Sequence, residues 1–187
     1  MSSGVLSGDV PLTHHESYLA EDDADRLLHE LSTGTSWSTA PGSGPGALDR
    51  AVHWIGGRTY DFYGTTIPTH PWTTALTHLR LALERETDAR YNSVLLNLYR
   101  DGRDCIGWHS DDESALGPEP TIASLSLGST RTFAMRHLAS GREVRLPLTH
   151  GSLVVMHGES QSAWQHAVPA TDDPVGPRLN LTFRWWH

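Results

Sequence analysis

Two histidines and one aspartate stand where they could bind a single metal ion. His109 and Asp111 are one residue apart, so in an extended segment both side chains project to the same side. A third candidate, His166, lies in the segment WQHAVP at residues 164–169. Two imidazoles and one carboxylate on one face of ferrous iron leave three coordination positions open, enough for a bidentate ligand and O2. This set could therefore support iron-dependent oxidation.

Spacing by itself does not decide which residues would bind the metal. His157 and Glu159 are also one residue apart and satisfy a search for two ligands equally well. Either pair could also be polar surface that binds nothing. The spacing leaves both pairs open.

The last strand-like segment predicts a site for an anion. Period-two alternation places one set of side chains on a polar face, namely Arg178, Asn180, Thr182 and Arg184. The other face is apolar and consists of Leu179, Leu181, Phe183 and Trp185. Two guanidinium groups are expensive to bury without an anionic partner, so an inward-pointing polar face predicts a bound dicarboxylate. A polar face that points to solvent would instead belong to a one-sided sheet.

The elements that would position these residues are two helices followed by short strands. The spacing of Trp72, Leu76, Leu79 and Leu83 predicts a helix with Pro71 in its first turn, and a second helix is predicted around residues 22–31. Beta-rich runs are predicted at 93–99, 121–127, 132–137, 143–148, 152–157 and 178–186. Within the first of these runs, Asn97 and Tyr99 share a face, although Tyr99 could equally be a core aromatic residue.

This order of elements predicts an α+β fold, a jelly roll with flanking N-terminal helices. Residues 33–46 are rich in Ser, Gly and Pro and are predicted to form a loop. We expect residues 1–46 to form a helical and loop extension packed on the core, and residues 47–187 to form the main domain within a single compact unit.

Composition excludes several enzyme classes. The 187 residues suffice for one well-buried domain, and the single cysteine, Cys105, rules out an internal disulfide and a thiolate-rich zinc site. All fourteen basic residues are arginine. Without lysine, Schiff-base chemistry and a phosphate-binding loop with its lysine are excluded.

Charge is unevenly distributed along the chain. The formal net charge is −8, and seven of the 22 carboxylates lie in the first 31 residues. Arg131, Arg136, Arg142 and Arg145 stand against Glu143 alone and allow a basic face on an acidic protein. No apolar run is long enough to span a bilayer, and the first residues lack the basic start of a secretory signal. We expect a soluble, cytoplasmic, monomeric protein with no membrane association.

Ordered motifs over about residues 50–185 resemble the AlkB family of Fe(II)/2-oxoglutarate-dependent nucleic-acid dealkylases, particularly its small DNA-repair members. The matching motifs are NLYRDGRD at 97–104, IGWHSDDE at 106–113, IASLSLG at 122–128, RTF at 131–133, LPLTHGSL at 146–153 and PRLNLTFR at 177–184. The resemblance implies a double-stranded β-helix, with residues 47–187 as the dioxygenase domain.

The resemblance also implies roles for the matching residues. It assigns the Fe(II) ligands to His109, Asp111 and His166, which sets aside the pair at 157 and 159. It assigns the 2-oxoglutarate carboxylates to Arg178 and Arg184, with hydrogen-bond partners Asn97, Tyr99 and Thr182. It places substrate contacts at Tyr60, Asp112 and Glu113, although the two acidic residues could equally be a solvated acidic turn.

The implied activity is oxidative demethylation of N-alkylated bases of the 1-methyladenine or 3-methylcytosine type in DNA or RNA, with O2 consumed and succinate and formaldehyde released. Because the base must leave the stack to reach the iron, unpaired bases are favoured. Members that act on duplex DNA carry an aromatic wedge and a basic loop, whereas this chain has GSGPG at 42–46 and ATDDP at 170–174. Asp172 and Asp173 would repel a phosphate backbone, so we expect single-stranded DNA or RNA to be preferred over duplex.

Two other functions are compatible with parts of the sequence. The same iron chemistry could act on a protein side chain or a small metabolite, since a shared core fixes the cofactors and not the substrate. A nucleic-acid-binding module without catalysis would require a broken ligand set, and this set is complete.

Overall fold

The structure, a computed structural model, describes residues 3–4, 10–42, 48–62 and 64–187. These ranges contain helices α1 (Glu21–Gly34) and α2 (Thr74–Thr87) and short 3-10 turns at Ser114–Leu116 and Gly158–Ser160. The strands are β1 Ser3–Gly4, β2 Leu12–His15, β3 Ser38–Ala40, β4 Arg50–Ile55, β5 Tyr60–Phe62, β6 Thr65–Ile67, β7 Ser93–Tyr99, β8 Ile106–His109, β9 Ile122–Gly128, β10 Arg131–His137, β11 Glu143–Leu148, β12 Leu153–Met156, β13 Trp164–Val168 and β14 Arg178–Arg184.

Two antiparallel sheets pack face to face. The larger sheet has the strand order β1-β2-β12-β9-β14-β7-β4-β3, and the smaller has the order β11-β10-β13-β8. The core between them takes Tyr99 and Ile122 from the larger sheet and Phe133 and Met135 from the smaller. Strands β5 and β6 form a separate ribbon. The arrangement matches the predicted jelly roll.

Both helices cover the outer face of the larger sheet. Their buried side chains and those of the sheet form one apolar cluster. The sheet contributes Leu125, Leu179, Leu181 and Phe183, and the helices contribute Ala24, Leu27, Leu31, Leu76, Leu79 and Leu83. Because side chains alternate along β14, its leucines face the helices and its polar residues face the smaller sheet. The polar face of β14 therefore points inward, as the dicarboxylate hypothesis requires.

The start of α2 differs from the prediction. Thr73 caps the helix, its Oγ1 accepting a hydrogen bond from the Leu76 main-chain N–H at 3.2 Å, so the first helical residue is Thr74. Pro71 lies before this cap rather than in the first turn. The predicted placement of Pro71 was wrong because a threonine cap nearer the apolar stripe defines the helix start.

The loop predicted at residues 33–46 is also partly wrong. Helix α1 extends to Gly34, and Ser38–Ala40 forms a strand that pairs with β4. Near the N-terminus, β2 pairs with β12, so this part of the chain also adds a strand to the larger sheet. Residues 43–46 of the predicted wedge region lie outside the described ranges. The division between residues 46 and 47 stays a prediction.

Arg131 holds loops together inside the protein and does not contribute to a basic face. Its side chain is buried, and its guanidinium donates to the main-chain carbonyls of Asp101, Gly102, Asp104 and Pro169. These bonds tie the loop after β7 to the loop after β13. The expectation of a basic surface is therefore wrong for this arginine, because its guanidinium is buried and bonded to carbonyl oxygens.

Neither helix in the described ranges is long and apolar enough to cross a bilayer.

Candidate active site

The three residues predicted as metal ligands lie together between the sheets. His109 ends β8 and stands opposite His166 of β13, and Asp111 follows two residues after the end of β8. One possible ligand atom from each lies within 4.8 Å of the others, and Nε2 of His109 is 3.8 Å from Oδ1 of Asp111. Among the described residues, this is the one group of three or more His, Cys, Asp or Glu side chains close enough to hold an ion.

The rival pair lies outside this cluster. Nε2 of His157 is 3.4 Å from Oγ1 of Thr13, and neither His157 nor Glu159 lines the central cavity. The spacing that made this pair equivalent in sequence therefore does not produce an equivalent site.

Hydrogen bonds orient the cluster for metal binding. Nδ1 of His109 is 2.8 Å from the carbonyl of Gly107, which makes Nδ1 the donor and leaves Nε2 available as a ligand. Oδ2 of Asp111 accepts hydrogen bonds from Nη2 and Nε of Arg184 at 2.7 and 3.0 Å. The other oxygen, Oδ1, is the one that faces His109. His109 and Asp111 thus each present one ligand atom while a neighbour holds the other.

Burial and charge set the protonation of the cluster. Burial by itself raises the pKa of Asp111, but the charge of Arg184, with those of His166 and His109, lowers it to about 2. Burial, and then the neighbouring His109, lowers the pKa of His166 to about 3. Near neutral pH, Asp111 is therefore a carboxylate and His166 a neutral imidazole, the forms that bind metal ions.

We expect the metal-free protein to lose stability as the pH falls from 6.5 toward about 3. In this interval His166 binds a proton in the unfolded chain but not in the folded protein, so acid favours unfolding. Asp111 acts in the same direction between 3.8 and about 2, because the folded protein retains its carboxylate. Urea unfolding with a chelator at about pH 7 and about pH 5 measures the effect. His166→Asn should lose less stability than wild type between these two values, and an equal loss would contradict the prediction.

The second part of the site is a cationic seat for a ligand, formed by the polar side chains of β14 (Arg178, Asn180, Thr182 and Arg184) together with Asn97 of β7. Arg178 pairs with Tyr99 across the strands, and its guanidinium carbon lies 4.9 Å from the centre of the tyrosine ring. Nη2 of Arg178 donates to Oγ of Ser126 at 2.9 Å. Next to it, Thr182 donates to Oδ1 of Asn180 at 2.9 Å, and Nδ2 of Asn180 donates to Oγ of Ser124 at 2.8 Å. The polar face is therefore an ordered network with one strongly cationic end.

Several buried polar atoms of this seat make no hydrogen bond within the described part of the chain. They are Nε and Nη1 of Arg178, Nη1 of Arg184 and Oδ1 of Asn97. Burial lowers the pKa of the Arg178 guanidinium, although the neighbouring Tyr99 raises it. A buried charge without an anionic partner is costly. The side chains of Arg178, Arg184 and Asn97 line one cavity of about 270 Å³, together with the metal cluster. A dicarboxylate beside a metal ion fits these unpaired donors.

The predicted substrate residues line the same cavity. The hydroxyl of Tyr60 donates to Oε1 of Glu113 at 3.2 Å, and its ring stacks on Trp54 with 4.9 Å between centroids. Burial raises the pKa of Tyr60, so its hydroxyl stays protonated as a donor. Oε2 of Glu113 is buried without a hydrogen-bond partner, and the neighbouring Asp112 is exposed. The structure thus brings every predicted site residue to one cavity.

Some residues of the site were not predicted. Ser124 and Ser126 complete the network around Arg178 and Asn180, and Gln161 accepts a hydrogen bond from the main-chain N–H of Asp111. The two serines could have been found, because serine and leucine alternate within Ile122–Gly128 and this places both hydroxyls on one face. Gln161 has no signal in the sequence.

Residues 12–184 match the family model described as the 2OG-Fe(II) oxygenase superfamily. The chain is 39% identical over 175 residues to alpha-ketoglutarate-dependent dioxygenase alkB homolog 3 of Mus musculus, covering 87% of this chain and 61% of the relative. It is 41% identical over 184 residues to DNA oxidative demethylase ALKBH2 of Homo sapiens, covering 87% of this chain and 68% of the relative. The chain belongs to the AlkB family of 2OG-Fe(II) oxygenases. Membership in the AlkB family implies Fe(II), 2-oxoglutarate and O2 as cofactor and co-substrates.

Solved structures show the same fold. The structure of OsALKBH1 aligns with a TM-score of 0.66 at 22% identity, covering 94% of this chain and 98% of that one. A Pseudomonas putida prolyl-4-hydroxylase aligns with a TM-score of 0.62 at 17% identity, covering 95% and 94%. The predicted double-stranded β-helix of the AlkB family is therefore confirmed. The chain spans 61% of the length of its relative alkB homolog 3.

Proposed function

We propose that this chain is an Fe(II)- and 2-oxoglutarate-dependent demethylase of N-alkylated bases, of the 1-methyladenine or 3-methylcytosine type, in DNA or RNA. The observation that carries the proposal is that one cavity joins the metal-binding cluster, a pair of buried arginines with unpaired donors, and an acidic, aromatic wall. The similarity to DNA oxidative demethylase ALKBH2 supports this choice of substrate.

In this proposal, each residue has a defined task. His109, Asp111 and His166 hold Fe(II), and Arg178 binds the distal carboxylate of 2-oxoglutarate beside Tyr99. The remaining acceptors and donors toward the co-substrate are Asn97, Thr182 and Nη1 of Arg184. When bound, iron and 2-oxoglutarate supply the oxidation of the N-alkyl group by O2. The protein binds, orients and excludes water around that reaction.

The acidic wall is suited to a cationic substrate. A base methylated on a ring nitrogen carries positive charge, and an unpaired carboxylate oxygen of Glu113 lies buried beside the cavity. Tyr60 fixes the other oxygen of that carboxylate and offers an aromatic ring near the base. Asp112 adds negative charge at the exposed rim. We propose these three residues as the substrate contacts.

A turnover screen tests the proposed function. The protein is incubated with Fe(II), 2-oxoglutarate and methylated single-stranded DNA or RNA, and the mass of each oligonucleotide, formaldehyde and succinate are measured. Unmodified peptides and small metabolites form the comparison set. Mass loss confined to methylated oligonucleotides supports the proposal, whereas succinate released only with a peptide or metabolite favours the alternative substrate class.

We further propose a preference for single strands. Asp172 and Asp173 are exposed in the loop between β13 and β14, and their charge opposes a second phosphate backbone. Dealkylation should be faster on a single-stranded oligonucleotide than on its matched duplex, and the double variant Asp172→Arg, Asp173→Arg should bind duplex more tightly at low salt. The control places the same charge change on α1, at Asp22 and Asp23. A duplex advantage in wild type would contradict the preference.

The proposal includes a monomeric enzyme that acts in the cytoplasm. Light scattering that gives the mass of one 20.6 kDa chain would support the monomer.

A further inference from the structure

The aspartate of the metal cluster stands on a segment that the sheets do not hold. Strand β8 ends at His109, and its last pairing with β13 is the one between His109 and His166. Beyond that point the main-chain N–H of Asp111 has no strand partner. Its position must be fixed in another way if Oδ1 is to reach an ion while Oδ2 stays on Arg184.

A glutamine fifty residues away supplies that hold. Oε1 of Gln161 accepts a hydrogen bond from the main-chain N–H of Asp111 at 2.8 Å. Nε2 of the same amide donates to Oγ of Ser160 at 3.1 Å and lies 3.5 Å from Sδ of Met156. The side chain is 4% exposed, so water does not compete for these bonds. The amide is therefore held at both ends, and its carbonyl oxygen has one orientation.

A second hydrogen bond fixes Ser110, the residue before Asp111. Oγ of Ser110 donates to the carbonyl of Trp164 at 2.8 Å, two residues before His166. Together with Gln161, this bond attaches the segment 109–111 to the part of the chain that carries the third histidine. The position of Asp111 relative to His166 thus depends on these two hydrogen bonds and on the pairing of His109 with His166.

We propose that Gln161 is a positioning residue of the metal site, which holds the main chain of Asp111 so that the carboxylate divides its two oxygens between the ion and Arg184. The inference rests on the proposed metal site. A glutamine that served the fold alone would contribute to stability and leave metal affinity unchanged. Outer partners that orient ligands typically alter metal affinity or activity by about 10- to 100-fold when removed.

Mn(II) affinity of three variants tests the proposal, by titration of free Mn(II) without 2-oxoglutarate. Gln161→Met keeps the shape but removes the acceptor, and should weaken Mn(II) binding by about 10- to 100-fold. Gln161→Glu keeps an acceptor oxygen and should bind Mn(II) nearly as wild type does. Gln165→Met is the matched control, because Gln165 lies on β13, contacts Arg136 and does not line the cavity. Its affinity should equal that of wild type.

Wild-type affinity in a folded Gln161→Met variant overturns the proposal. If that variant fails to fold, Gln161→Asn replaces it, since it withdraws the carbonyl by one methylene and keeps a polar amide. Weaker Mn(II) binding by a folded Gln161→Asn supports the proposal, and unchanged binding overturns it. Failure of the wild-type protein to bind Mn(II) would instead contradict the metal site itself.

Discussion

His109→Ala should lower turnover with Fe(II) and 2-oxoglutarate by about a thousandfold or more, a loss of about 4 kcal/mol in transition-state stabilisation. The variant removes one of three proposed ligands, and the remaining carboxylate and imidazole cannot hold the ion on one face. The side chain of His109 is 21% exposed, so the fold should survive its truncation. Initial rates of succinate formation and Mn(II) affinity, measured on protein with a native circular dichroism spectrum, give the result.

His157→Ala is the matched control for this loss. It removes the same side chain from the rival pair, which contacts Thr13 and lies outside the cavity. This variant should keep wild-type turnover and Mn(II) affinity. Equal losses in the two variants would point to a general effect of losing a histidine, and near-normal turnover in His109→Ala would remove it from the ligand set.

The parts of the site that lie within one strand could be predicted from the sequence. Alternation along β14 separates a polar from an apolar face, and within Arg178–Arg184 the structure buries both, one under the helices and one in the cavity. Trp185, predicted on the apolar face, follows the end of the strand and is exposed. Strand β7 has the predicted bounds, Ser93–Tyr99, because a run of apolar residues between turn residues is a strong strand signal. Period two is a property of the chain itself, so it needs no knowledge of tertiary structure.

Contacts between distant strands could not be predicted in the same way. The pairing of Arg184 with Asp111 and the bond from Gln161 join residues 73 and 50 positions apart, and only the sheet order brings them together. The resemblance places Arg184 on the co-substrate, but in the structure two of its three nitrogens bond to Asp111. One donor, Nη1, is left for a further partner.

The short strands β2 and β3, toward the two opposite edges of the larger sheet, were not predicted from the sequence for a different reason. Strands β2 and β3 have four and three residues, too short for a periodic pattern to stand out from a polar loop. They form because neighbouring strands offer free hydrogen-bonding edges, β12 to the first and β4 to the second. Tertiary pairing therefore decides these segments, and local propensity does not.

Arg178→Met should strongly reduce the stabilisation of the protein by 2-oxoglutarate while keeping or raising the melting temperature of the protein without co-substrate. The arginine is 1% exposed and two of its nitrogens are unpaired, so its charge is a cost until an anion binds. Losing the buried charge pair with the co-substrate should weaken 2-oxoglutarate binding by about 30-fold or more. A co-substrate at about 100 times its wild-type Kd stabilises the wild type by about 2.7 kcal/mol, and at the same concentration this shift should fall to about 0.9 kcal/mol or less in the variant.

Arg131→Met is the control that separates a seat for a ligand from a structural arginine. Arg131 is also buried, but its guanidinium is bonded to four main-chain carbonyls, and each carbonyl left unpaired costs about 1–3 kcal/mol. This variant should therefore melt at a lower temperature yet keep a stabilising shift with 2-oxoglutarate in the presence of Mn(II). If Arg178→Met is instead the destabilised variant and keeps the full wild-type shift with 2-oxoglutarate, its unpaired nitrogens do not mark the carboxylate site.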